Sequence, residues 1–101
     1  MSENGRPTCL DEAAAIVTGG RQDDYGHPHE NHSAMAKSAR AYIWRRYSVD
    51  VPLDAEDWCA LMLLCKVYRH AHRRTQDNRV DMAGYALNME LCAEREAAGS
   101  E

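Results

Sequence analysis

Apolar positions in this chain recur every three to four residues in four stretches, separated by clusters of Gly, Pro, Asp and Ser. Thr8 followed three residues later by Asp11 has the form of a capping box, and the run from Leu10 to Val17 continues as a short helix until Gly19-Gly20 stops it. Gly26 and Pro28 mark the segment from Arg21 to Pro28 as a loop, with Pro28 suited to the first turn of the next helix. The second helix is predicted from about His29 to about Tyr47, because Met35, Ala39, Tyr42, Ile43 and Arg46 share a face. Pro52 and the Ser48-Val49-Asp50-Val51 segment before it break that helix.

Asp54 and Asp57 form a second capping-box pattern, and Trp58, Leu61, Met62, Cys65 and Arg69 then line one face of a helix ending near Arg73. Leu63, Leu64 and Val67 are apolar too, which predicts that this third helix is the central one. The fourth opens near Asp77 or Asn78, runs to about Glu96, and carries two apolar stripes: Val80, Gly84, Leu87 and Leu91, and Met82, Tyr85, Met89 and Cys92. One neighbouring helix cannot cover both stripes. Helix one or a second copy of the chain must cover the other, and the small size of the domain favours a homo-oligomer. The expected fold is all-α, a compact bundle of about four helices, one short and three long, in a single domain over 1–101 with flexible ends at 1–8 and 97–101.

Composition narrows the function classes. With 101 residues, the chain suffices for one core, and its net charge of −4 argues against long nucleic acid as a partner. Cys9, Cys59, Cys65 and Cys92 include no Cys-x-x-Cys pair, which fits reduced thiols in a reducing compartment. The first residues lack the apolar stretch of a signal peptide and no apolar run approaches a membrane span, so a cytoplasmic protein without a membrane partner is expected. Basic residues cluster at Arg45-Arg46 and along Lys66, Arg69, Arg73 and Arg74, a scale that suits a small anionic ligand.

Three groups of residues carry candidate chemistry. The loop Asp23-Asp24-Tyr25-Gly26-His27-Pro28-His29-Glu30-Asn31-His32 offers carboxylates from Asp23, Asp24 and Glu30 to a divalent ion, or His27, His29 and His32 to a transition metal; equally, Asp24 or His27 caps helix two. Asp77, Asp81, Asn88 and Arg95 share a line on helix four, where Asp77 and Asp81 repel unless a cation stands between them. That cation is Mg²⁺ or Mn²⁺, or a side chain such as Lys66, Arg69 or Arg73. Gly84 costs its helix about 1 kcal/mol relative to Ala, which implies close approach of a neighbouring helix or of a ligand. The third group is the basic stripe Lys66, Arg69 and Arg73, which borders the apolar face and can meet phosphate oxygens.

The combined pattern Arg21-x-x-Asp24-Tyr25-Gly26-x-Pro28-x-x-Asn31, then Trp44, then Asp57-x-x-x-Leu61-Met62-Leu63-Leu64-x-Lys66-x-x-Arg69, then Asp77-x-x-x-Asp81-x-x-Gly84-Tyr85, resembles a family of small bacteriophage-encoded proteins of uncharacterised function. More distantly, the chain is similar to the MazG-like all-α nucleoside triphosphate pyrophosphatases. That resemblance implies Mg²⁺ held by acidic pairs on adjacent helices and cleavage between the α- and β-phosphates. Here the pairs are Asp54-x-x-Asp57 and Asp77-x-x-x-Asp81, which depart from the Glu-x-x-Glu and Glu-x-x-Asp spacing.

Two functions are expected from these residues. In the first, a nucleotide pyrophosphohydrolase, Asp77 and Asp81 with Asp57 or Glu30 hold Mg²⁺ or Mn²⁺ and activate water, Lys66 and Arg69 neutralise phosphates, and Tyr25 or Trp58 stacks on the base. Arg21, Asp24, Tyr25, Gly26, Asn31 and Tyr85 complete the ligand site. In the second, the same residues sequester a nucleotide or nucleotide-derived signal without cleaving it, or the domain contacts a host protein.

Overall fold

The computed structural model describes residues 1–20 and 26–99. Among them the chain forms four helices, α1 (Cys9–Thr18), α2 (Pro28–Tyr47), α3 (Ala55–His72) and α4 (Gln76–Gly99), and no strand. Local chemistry sets their ends. Thr8 Oγ1 accepts from the Asp11 N–H at 3.2 Å while Asp11 Oδ2 accepts from the Thr8 N–H at 2.8 Å, so two of the orphan donors of α1 are satisfied reciprocally. Asp54 and Asp57 do the same for α3, at 2.8 and 3.0 Å. α2 ends at Ser48, which takes up a left-handed backbone (φ 56°) and donates its N–H to the Trp44 carbonyl at 2.8 Å.

The N-cap of α2 is His27, whose Nδ1 accepts from the His29 N–H at 3.0 Å. Partial burial pushes the His27 pKa below its usual 6.5; Arg95 and His29 add to the shift, and Glu30 and Glu94 oppose it. The folded protein therefore binds this proton less tightly than the unfolded chain does. The stability contributed here is complete above the unfolded value of 6.5 and is lost as pH falls through the lower folded value. Protonation of Nδ1 also removes the cap acceptor. Acidification from about pH 7 to about pH 5 is expected to lower the melting temperature less in His27→Asn, which keeps a capping oxygen, than in the wild type. Equal slopes in a thermal melt series would contradict the assignment.

α4, and not α3, is the central helix: it packs against all three others, with α3 along one side and α1 along another, while α2 lies across α3 and α4. The second apolar face of α4 is covered within the chain, by α1 at the Val80 and Gly84 side. On the other side Cys92 and Met89 meet Ala55 and Cys59 of α3. The core is built from small side chains, Cys59 and Cys92 being the largest that are fully buried. Burial pushes the Cys59 thiol up to about 12 and raises Cys92 as well, so neither is a nucleophile near neutral pH. With Ala55 and Cys59 setting the inward face of α3, Leu61 falls about 200° round the helix from Cys59 and points outward. Among the described residues no helix is long and apolar enough to cross a membrane.

Candidate functional site

A cavity of about 210 Å³ opens where α1, α3 and α4 meet. α4 supplies most of its wall, because Asp81, Gly84, Tyr85 and Asn88 recur at helical spacing and so share one face. α1 closes the apolar side with Ala13, Ile16 and Val17, and α3 contributes Lys66. The polar equipment is therefore one ammonium, one carboxylate, one phenol and one carboxamide.

Lys66 and Asp81 form an ion pair, Nζ to Oδ2 at 3.0 Å, with side chains 19% and 43% exposed. Lys66 is thus a side-chain cation that answers Asp81. Asn88 is 4% exposed; its Nδ2 donates to His32 Nε2 at 3.3 Å, while its Oδ1 is buried with no hydrogen-bond partner among the described residues. The His32 ring in turn meets Tyr85 edge-on, centroids 6.1 Å apart. A buried carbonyl without a donor costs about 1–3 kcal/mol, which makes Asn88 the most informative polar group of the site.

Gly84 faces α1 without being forced to be glycine: a Cβ at this position would stand 3.6 Å from Val17 Cγ2, an ordinary van der Waals separation. Alanine therefore fits, and Gly84→Ala is expected to raise stability by up to about 1 kcal/mol through helix propensity alone. A thermal melt shifted downward instead would mean that α1 lies closer than 3.6 Å implies.

The residues singled out from the sequence divide into those the fold assembles and those it separates. Lys66, Asp81 and Tyr85 converge on the cavity. Asp77 lies one turn before Asp81 on α4, exposed and outside the lining, and Arg69 is exposed one turn beyond Lys66. Asp57 spends its carboxylate on the cap of α3, and Trp58 lies near that same end, two turns from Lys66 and outside the cavity wall. Glu30 and Asn31 lie in the first turn of α2 and Gly26 just before its cap, beside the end of α4, where His29 Nε2 meets Glu96 Oε1 at 2.5 Å. Gly26 has a backbone reason to be glycine, φ 80°, and a Cβ there would meet Glu30 Oε2 at 2.9 Å. Arg21, Asp24 and Tyr25, together with Asp23, lie outside the described residues. Among the described residues no group of three or more His, Cys, Asp or Glu is placed to hold a metal ion. Sequence reasoning set Asn88 on the polar line of helix four but gave it no role, and it offered His32 only as a loop ligand. The available signal was an amide at the seam between two apolar stripes.

Relatives of the chain come from bacteriophages. It is 37% identical over 80 residues to the Gene 55 protein of Mycobacterium phage L5, covering 78% of this chain and 48% of that protein. It is 32% identical over 99 residues to the Gene 55 protein of Mycobacterium phage D29, covering 98% of this chain and 60% of that protein. The chain thus spans about half to three-fifths of the length of these curated relatives. No solved structure matches it. The model of one family covers residues 8–93, from the cap of α1 to the last third of α4, and the chain belongs to that family, Domain of unknown function (DUF6378).

Proposed function

We propose that the α1/α3/α4 cavity captures a nucleotide or nucleotide-derived phosphorylated molecule, holding the planar base inside and leaving the phosphates outside on the Lys66 side. The observation that carries this is Asn88 Oδ1, a buried acceptor without a donor in a wall that also holds a phenol ring. A nucleobase edge brings N–H donors to such a group once the Asn88 side chain turns from its shielded position toward the cavity, and its flat face suits Tyr85. Size supports the same orientation: 210 Å³ lies below the roughly 300 Å³ of the smallest ordinary ligand pockets, room for one ring system and not for a triphosphate. On entry of the ligand, the Lys66 ammonium exchanges part of its contact with Asp81 for phosphate oxygen.

Asp81 already has its cation in Lys66, and no second carboxylate lines the cavity among the described residues. This donor set does not fit a divalent ion as it stands, so capture is favoured over the metal-dependent pyrophosphohydrolase that the MazG-like resemblance implies. Calorimetry against nucleoside mono- and triphosphates and cyclic nucleotides, with and without Mg²⁺ or Mn²⁺, followed by chromatography of the ligand, tests this. Heat from at least one nucleotide without metal, with the ligand recovered intact, is expected. Cleavage that depends on the added metal would establish the hydrolase instead, and silence from every nucleotide would remove nucleotide handling altogether.

A further inference from the structure

The chain exposes more surface than its mass requires. At 11.4 kDa a compact monomer shows about 5,800 Å² to solvent, whereas this one shows 7262 Å², an excess of about 1,500 Å². Its radius of gyration, 15.3 Å, likewise exceeds the roughly 13 Å of a compact domain of this length. Part of that excess is apolar and lies in one stripe. On the outer face of α3, Leu61, Leu64 and Tyr68 recur at spacings of three and four and are 40%, 61% and 81% exposed. Cys65, exposed, lies one turn from Leu61 on the same side, and Val67 flanks the stripe at 45% exposure.

The charges at the two ends of α3 indicate what covers it. The first turn is acidic, with Glu56 and Asp57, and the last turn is basic, with Arg69, His70 and His72; of these Asp57 and His72 lie on the side of the stripe and Arg69 at its edge, while Glu56 and His70 point away. Two α3 helices laid antiparallel about a two-fold axis bring the acidic end of each against the basic end of the other, oppose their helix dipoles favourably, and superimpose the apolar stripes. The surplus surface also matches what a dimer consumes: a standard interface takes about 800 Å² per partner, and obligate ones take more.

We infer that the chain pairs with a second copy of itself through the outer face of α3, antiparallel, with Leu64 and Cys65 nearest the axis and Leu61 of one copy against Tyr68 of the other. Sedimentation equilibrium of the 101-residue chain should give twice 11.4 kDa. Leu64→Glu and Tyr68→Glu should each weaken association by at least about 100-fold. Should those variants lose their helical circular dichroism, the wild type still decides: Cys65 should be alkylated more slowly at high than at low protein concentration, measured against Cys9 in the same molecule. A wild-type chain that remains monomeric up to about 100 µM overturns the inference and leaves the stripe to another partner. A dimer indifferent to both substitutions, with a Cys65 rate independent of concentration, overturns it too.

Discussion

Asn88→Leu is expected to leave the fold as stable as the wild type, within about 1 kcal/mol, while weakening nucleotide binding by about 10- to 100-fold. The two effects come from the same atom. Asn88 is 4% exposed, its carbonyl oxygen has no donor among the described residues, and its side-chain hydrogen bond to His32 Nε2 is long at 3.3 Å. Leucine has a similar volume, removes the unsatisfied acceptor together with the amide, and gives up only that one bond. A polar residue kept solely for stability would behave in the opposite way, because deleting it would cost the fold and spare the ligand. Denaturant unfolding and calorimetry on the same preparation separate the cases. A loss of more than about 3 kcal/mol with binding unchanged would make Asn88 a structural link and deprive the cavity of its principal recognition group.

Asp81→Ala should destabilise the protein by about 1–3 kcal/mol and Lys66→Met by no more than about 1 kcal/mol, although the two remove the same ion pair. The asymmetry lies in what each leaves behind. Without Asp81, an ammonium only 19% exposed loses its counter-charge; without Lys66, a carboxylate 43% exposed turns to water. Methionine preserves the apolar stem of lysine against the cavity wall, which limits the loss further. Ligand binding should show the reverse order. Lys66→Met is expected to cost about 10-fold or more through the lost phosphate contact, and Asp81→Asn little. Equal costs in denaturant would place both side chains in the same dielectric surroundings and contradict their unequal exposure.

Helix ends were legible because their chemistry is contained within four residues. The Thr8 and Asp11 box, the Asp54 and Asp57 box and the His27 cap all form as local spacing dictates. The same locality leaves two uses open where one residue suits both: Asp57 fits a capping box and a metal site equally well by spacing, and the capping box is the one that forms, with its carboxylate accepting from the backbone of Asp54. The glycine of the turn motif has a local reason as well, the left-handed backbone at Gly26.

What the chain's order of residues determined by itself is the set of elements: four helices, their caps, the amphipathic rows, and Lys66 as one of the cations able to answer Asp81. These depend on spacing along single helices. Which helix lies at the centre, and which polar groups are buried together, was settled only in three dimensions. α3 and α4 are both apolar on more than one side, and the apolar middle of α3 favoured it as the centre; in the fold α4 takes that place, with Ala55 and Cys59 of α3 packed on one side of it and Val17 of α1 beside Gly84 on another. That arrangement buries Asn88 beside His32, 56 positions away in sequence, and turns Leu61, Leu64 and Tyr68 outward. Burial is a property of the packed assembly, and no local pattern encodes it.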